Sequence, residues 1–185
     1  MFPSLHWTVV SWHSGVRQNP LLVLILCCAA SSGCAVFEAD KLYKSGTNAL
    51  EQGDYPQCIE QLEKAKALLP NASSVIRNNL GVCYDRVGRK KDAWVEFRKA
   101  VINSHQNNAA LKNFRASWAD FMARGVLTIG AAADTIVDKL GEPDFRKKAD
   151  DGIGDIWGYG NDQFMVIWAR KTLEIRDQKV SKMDQ

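Results

Sequence analysis

Side chains able to do chemistry are few in this 185-residue chain, and their placement argues against catalysis. There are three histidines: His6 and His13 near the start, and His105 alone in the body. Imidazole acid–base catalysis therefore has one candidate, and His105 falls at a boundary between helical stretches, where a surface or helix-end position is expected. Of five cysteines, Cys27, Cys28 and Cys34 crowd one early stretch, leaving Cys58 and Cys83. No disulfide framework or CxxC metal pair can be built from that spacing. Cys58 and Cys83 read as buried free thiols serving as small apolar residues, although an oxidising compartment would let a bond between them persist. Gly152-Ile153-Gly154-Asp155-Ile156-Trp157-Gly158 is glycine-rich, but it lacks a following Lys-Ser/Thr and runs into a strand candidate. It reads as a hairpin turn, because a phosphate cradle needs the amides of a helix start. Asp150, Asp151, Asp155 and Asp162 hold oxygens for a weak Ca²⁺ site without EF-hand spacing. Glu51, Asp54, Glu60 and Glu63 read as a solvated helix face. With no GxSxG, HExxH or Ser/His/Asp set, no catalytic residue, no metal and no cofactor is expected, and the chain reads as a non-enzyme.

Apolar residues make up 46% and charged residues 24% of the chain, the composition of a globular protein. The net charge of +3, without a Lys/Arg block, gives no footprint for nucleic acid. Residues 1–33 carry one formally charged side chain, Arg17, and no acid. Leu21–Ala30 is an unbroken apolar run of ten residues, half of the roughly 20 a spanning helix needs and the length of a signal-peptide core. Ser31-Ser32-Gly33-Cys34 follows it and resembles a bacterial lipobox, with Ser31 where Leu is usual. The resemblance implies cleavage before Cys34, acylation of its thiol, and a short tether over 34–37; an ordinary secretory signal cut nearby is the alternative. Ala35 in place of Asp implies sorting to the outer membrane of a Gram-negative cell, on its periplasmic face. The stretch before Arg17 is unlike a signal sequence, and a start at Val16 would open on Met-Arg-Gln-Asn-Pro, so residues 1–15 are expected to lie outside the translated precursor.

Those anchoring features would hold a body whose residues 38–125 read as helix with regular punctuation. Gly46, Gly53, Cys58, Leu62 and Ala65 recur as Gly81, Gly88, Ala93, Phe97 and Ala100, each 35 positions on. Such a period marks stacked supersecondary units. Asn79-Leu80-Gly81 with Tyr84 and Gly88, then Glu96-Phe97-Arg98-Lys99-Ala100, resemble a tetratricopeptide repeat, and Gln61–Ala65 with Pro70 resembles the end of another. His105 stands where the family's Pro is usual, and Ser45 where Leu is usual. Small residues at 46, 58 and 65, and at 81, 93 and 100, allow close helix approach, with Leu62 and Phe97 filling the space between. Gly53 and Gly88 supply the turns. A third helix, Asn108 to Arg124, repeats Asn79-Leu80 and Tyr84 as Asn113-Phe114 and Trp118, 34 positions on, and reads as a capping helix. Two repeats and a cap fall short of the usual minimum of three, so the array is expected to lean on the tail.

The family resemblance implies a groove lined by first helices that takes a peptide or a partner helix. It places Tyr43, Thr47, Leu50, Asn78, Asn79, Val82, Asp85, Arg86 and Lys112 on that surface. A chaperone-type carboxylate clamp is rejected, because Tyr43 and Thr47 stand where Lys and Asn would be required.

The tail, 126–180, shifts towards Gly, Asp and β-formers, with 181–185 a short end piece. Gly130–Asp144 reads as one helix stopped by Gly141 and Pro143. Strands are expected over Phe145–Lys148, Asp155–Gly160, Gln163–Ala169 and Leu173–Asp177, the last two joined by a hairpin at Arg170-Lys171-Thr172. Gly130, Asp134, Val137, Leu140-Gly141-Glu142-Pro143, Trp157 and Tyr159 resemble the SmpA/OmlA-type domain of small outer-membrane lipoproteins, whose fold is like that of the β-lactamase inhibitor protein. The expected class is α+β: an α-solenoid of two helix hairpins and a capping helix, then one or two helices packed on a three- or four-stranded antiparallel sheet. The combined resemblances imply an envelope adaptor that captures a protein or peptide partner, in outer-membrane protein assembly or envelope integrity. A pilotin-like role for a secretin or pilus is the alternative, and no small-molecule substrate is expected.

Overall fold

The computed structural model describes residues 20–69, 71, 73–104, 106–160 and 170–183, with side chains described from Gly33. Expectations for residues 1–15, Pro70, His105, Asp162 and the strand 163–169 therefore lie outside the described residues. The chain divides into two units, Met1–Cys34 and Ala35–Gln185. In the first, the described residues from Pro20 are helical and Cys34 is exposed.

The second unit is α+β, helices first and an antiparallel sheet after. Helix α1 (Pro20–Gln52) reaches into it and is followed by α2 (Tyr55–Leu68), α3 (Ser74–Arg86), α4 (Lys90–Asn103) and α5 (Asn108–Ala123). Each of three helix starts has a side-chain oxygen for an otherwise unpaired amide: Asp54 for Gln57, Ser73 for Ile76 and Asn107 for Ala110. Gly53 and Gly88 turn the two hairpins at φ +78° and +81°, a backbone region that costs glycine little. The 35-residue period has a direct packing cause. A β-carbon at Gly46 would lie 2.7 Å from Leu62 Cγ, and one at Gly81 would lie 2.6 Å from Phe97 Cε1. In both hairpins a bare α-carbon makes room for the filler side chain of the second helix.

Helix α6 (Ala133–Leu140) is shorter than the sequence suggests. Gly130 at φ +90° and Gly141 at φ +80° bound it, and Ala131 and Ala132 are drawn off as extended backbone against the last strand. Gly130 N–H donates to Val180 O and Val180 N–H donates to Ala131 O, at 2.8 and 2.9 Å. The sheet runs in chain order: β1 (Phe145–Lys148), β2 (Asp155–Gly160), β3 (Arg170–Arg176) and β4 (Lys179–Met183), each antiparallel to the next. The glycine-rich stretch does form the β1–β2 connection and the start of β2. Arg170-Lys171-Thr172, expected as a turn, instead lies inside β3. The chain reverses at Asp177-Gln178, both at positive φ, which puts 181–183 of the supposed end piece into β4.

Trp157, Tyr159, Leu173, Ile175 and Val180 belong to the same buried cluster as Trp94, Phe97, Phe114 and Trp118 of the helices. Trp94 is its centre: its ring stacks on Phe114 at 5.0 Å and meets Trp118, Phe121 and Tyr159 within 6.0 Å. The Leu140–Pro143 stretch acquires a structural reading. Its carbonyls accept from Trp94 Nε1 (Leu140, 3.0 Å), Arg98 Nη1 (Glu142, 3.0 Å) and the Tyr159 hydroxyl (Gly141, 3.2 Å).

Cys58 and Cys83 are not free thiols. They form a disulfide between α2 and α3, with α-carbons 6.3 Å apart. Helix α2 packs on the following hairpin as well as its own, so Cys58 meets Cys83 across the hairpin boundary. Glu63 also departs from a solvated role, since it accepts the Tyr84 hydroxyl and pairs with Lys66 at 2.7 Å. Asp151 accepts from the Ile153 amide and pairs with Arg176, and Asp155 pairs with Lys148.

A candidate partner-binding cleft

The first helices of the stack, α1, α3 and α5, are joined on one side by a polar ladder. Asn113 Nδ2–H donates to Asn78 Oδ1 at 2.8 Å, Asn78 Nδ2–H to Asn79 Oδ1 at 3.4 Å, and Asn79 Nδ2–H to Thr47 Oγ1 at 3.3 Å. Asn78 is buried, so these partners satisfy an amide that would otherwise be costly to enclose. Thr47, Asn78 and Asn79 are thus brought together, and they hold the helices in register.

Residues of α3, α4 and α5 line a cleft of about 300 Å³. Phe97 and Phe121 form its floor, with Val82 and Ala116 on the walls and Asn113, Ser117, Asp85, Arg86, Lys90 and Asp120 towards the rim. Rim charges are largely neutralised: Lys90 pairs with Asp85 at 2.5 Å, and Arg124 pairs with Asp120 at 2.9 Å. Arg86, exposed in the last turn of α3, forms no ion pair among the described residues. An apolar floor, a rim of largely paired charges and one open guanidinium make a surface suited to binding.

Of the nine groove residues read from the sequence, Val82, Asp85 and Arg86 line this cleft. Tyr43 lies in a second cleft, beside Leu69 and Ile76. Leu50 packs against the core, and Lys112 is exposed on α5 outside the cleft. Sequence reasoning passed over Ala116 and Asp120, although a usable signal existed. The 34-residue offset that aligns Asn79 with Asn113 also aligns Val82 with Ala116 and Arg86 with Asp120. Lys90, Ser117 and Phe121 carried no such signal.

Apart from the cleft, α2, α3 and α4 share an ionic cluster centred on the buried Glu96. Glu96 accepts from Lys66 Nζ and Arg77 Nη1, both at 3.0 Å. Burial and the hydrogen bond to Glu63 push the Tyr84 hydroxyl well above the ordinary tyrosine range. Glu63 moves the other way. Burial opposes its ionisation, but the hydrogen bonds from Lys66 and Tyr84 prevail and hold it below the usual carboxylate range. Glu96, Glu63 and the Tyr84 hydroxyl each face another group of the protein, while the buried Arg77 Nε has no hydrogen-bond partner among the described residues; the cluster ties α2, α3 and α4 together.

Among the described residues, no three His, Cys, Asp or Glu side chains converge on a point that could hold a metal. No described helix is long and apolar enough to cross a membrane. No family model matches the chain, and comparison with curated proteins finds no match to it.

Proposed function

We propose that the chain is a non-enzymatic envelope lipoprotein, anchored through acylated Cys34, that holds a partner protein or peptide in the α3–α5 cleft. Stacked hairpins of tetratricopeptide-repeat type would present the cleft, and an SmpA/OmlA-like tail would brace them. The observation that carries the reading is the cleft itself: apolar floor, neutralised rim and Arg86 open to a partner, on the side where the 35-residue repeat places its first helices. The buried Cys58–Cys83 disulfide favours an oxidising compartment outside the cytoplasm, and the sequence before Cys34 argues for the same address. A pair of acyl chains gives stable membrane attachment, where a single chain is marginal.

The decisive experiment introduces a photo-crosslinking residue at Ser117, inside the cleft, and at Lys64, exposed on α2. Capture of a discrete envelope protein from position 117, absent from position 64 and weakened by Arg86→Glu, is the expected result. Equal capture at the two positions, or none at 117, refutes the cleft. Intact mass of the membrane-extracted protein tests the anchor separately, since acyl mass on a chain beginning at Cys34 must vanish in Cys34→Ala.

A further inference from the structure

Eight large apolar side chains are exposed among the described residues. Four of them, Val36, Phe37, Leu68 and Val75, belong to the start of α1 within the second unit, the end of α2 and the start of α3. Val36 and Val75 face a common cleft of about 310 Å³, whose other apolar lining includes Tyr43, Leu69 and Ile76. The carboxylate on that lining, Asp40, is paired with Lys44 at 2.7 Å. Phe37, next in sequence to Val36, is 74% exposed. At the opposite end of the stack, α5 and the sheet cover the last hairpin, whereas here no described residue closes the cleft.

We infer that this open end of the stack is a bilayer-contacting surface, with the cleft and Phe37 seated among lipid headgroups. The inference rests on the reading of Cys34 as the acylated residue, and its warrant is reach. From Cys34 to Val36 the chain can extend at most about 7 Å. The headgroup layer of one leaflet is itself about 5–8 Å deep. With the acyl chains of Cys34 in the hydrocarbon, Val36 stays at headgroup level, and the cleft it lines meets lipid before any soluble partner can reach it. Apolar side chains held at that depth add to the attachment of the acyl chains and fix the attitude of the stack on the membrane.

The test is fluorescence of Val36→Trp in the full-length membrane-extracted protein, reconstituted in phosphatidylethanolamine/phosphatidylglycerol vesicles. A fraction of the lipid is brominated near the top of its acyl chains. Ile153→Trp, on the 77% exposed Ile153 of the β1–β2 connection, is the control. The expected result is at least a two-fold bromine-dependent loss of the added emission at position 36, none at 153, and relief by Val75→Asp with an unchanged circular dichroism spectrum. Acylated protein without quenching at 36 overturns the inference. So does a sedimenting dimer that Val75→Asp dissociates, since the occupant is then a second copy. A mass beginning upstream of Cys34 with no quenching overturns it as well. An unacylated mass removes the anchor reading alone, and added vesicles at millimolar lipid then decide the surface: quenching at 36 supports it, and none overturns it.

Discussion

Gly81 sits in the interior of α3, where alanine would ordinarily be the better residue by about 1 kcal/mol of helix propensity. The Phe97 ring reverses that expectation, because the new β-carbon would stand 2.6 Å from Cε1 of a ring that is itself buried. Overpacking of a filled core costs about 1–3 kcal/mol, so Gly81→Ala should lower stability in urea titration, and Phe97→Leu should restore part of it. A gain in stability from Gly81→Ala alone would mean that the hairpin contact is looser than the packing implies. Two tyrosines make a second residue-scale expectation. Burial raises both Tyr84 and Tyr159, the former also through its hydrogen bond to Glu63. A hydroxyl that ionises less readily in the folded chain than in the unfolded one contributes its full stability below the unfolded value of about 10, and loses it as pH climbs further. The urea midpoint should therefore be level from pH 8 to 9.5 and fall above about pH 10, and Tyr84→Phe should shallow that fall. Parallel profiles for wild type and Tyr84→Phe would remove Tyr84 from the account. The acid side has the opposite sign. Glu63, held below the usual carboxylate range, supports the fold above about pH 4.3 and withdraws that support as pH falls.

Among the elements, the hairpins were legible and the links between them were not. A glycine facing a Leu or Phe of the next helix leaves a mark at a fixed offset, so the pairs 46–62 and 81–97 could be read as a repeat. The partner of Cys58 depends on which side of α2 faces α3, a tertiary fact with no sequence period. The β3–β4 reversal was missed for a different reason. Asp177 and Gln178 take φ of 49° and 60° without the Asn-Gly or Asp-Gly signature that marks most such turns. The cleft was half legible: its α3 wall followed from the repeat, and Ala116 and Asp120 of α5 would have followed had the offset that gave Asn113, Phe114 and Trp118 been applied to Val82 and Arg86 as well, whereas Ser117 and Phe121 carried no such mark. The disulfide supports the element-scale prediction. It closes a separation of 25 residues and ties the first hairpin to the second, for which the loop-entropy relation gives about 3–4 kcal/mol. Reduction, or paired Cys58→Ala and Cys83→Ala substitution, should lower unfolding stability by about that amount while helical circular dichroism in buffer is retained. No change in the urea midpoint on reduction would mean that packing between α2 and α3 already fixes the boundary.

For the molecule as a whole, the question is whether two helix hairpins and a cap can stand without the sheet. Arrays of this kind bury their apolar faces on neighbouring repeats, and here the neighbour is missing on one side. Trp94 occupies the gap, with helix partners Phe114, Trp118 and Phe121 on one hand and Tyr159 on the other. Its indole N–H donates to the Leu140 carbonyl, and Arg98, buried in α4, spends its guanidinium on the carbonyls of Leu140 and Glu142. Removal of the tail would expose the sheet side of Trp94 and Trp118 and leave the Arg98 charge in a partly apolar wall without its acceptors. Loss of a buried aromatic alone costs about 3–5 kcal/mol, against a total stability of about 5–15 kcal/mol for an ordinary domain. A chain ending at Arg124 should therefore show no sigmoidal urea transition and should bind an apolar dye. The full chain should unfold in one step, seen alike by tryptophan fluorescence and circular dichroism. Tyr159→Phe is the graded control: it removes only the hydroxyl that donates to Gly141, and so should lower the midpoint while a single transition is kept. If the shortened chain unfolds cooperatively at the midpoint of the full one, the helices are self-sufficient and the contacts of Trp94 with the sheet do not hold them together.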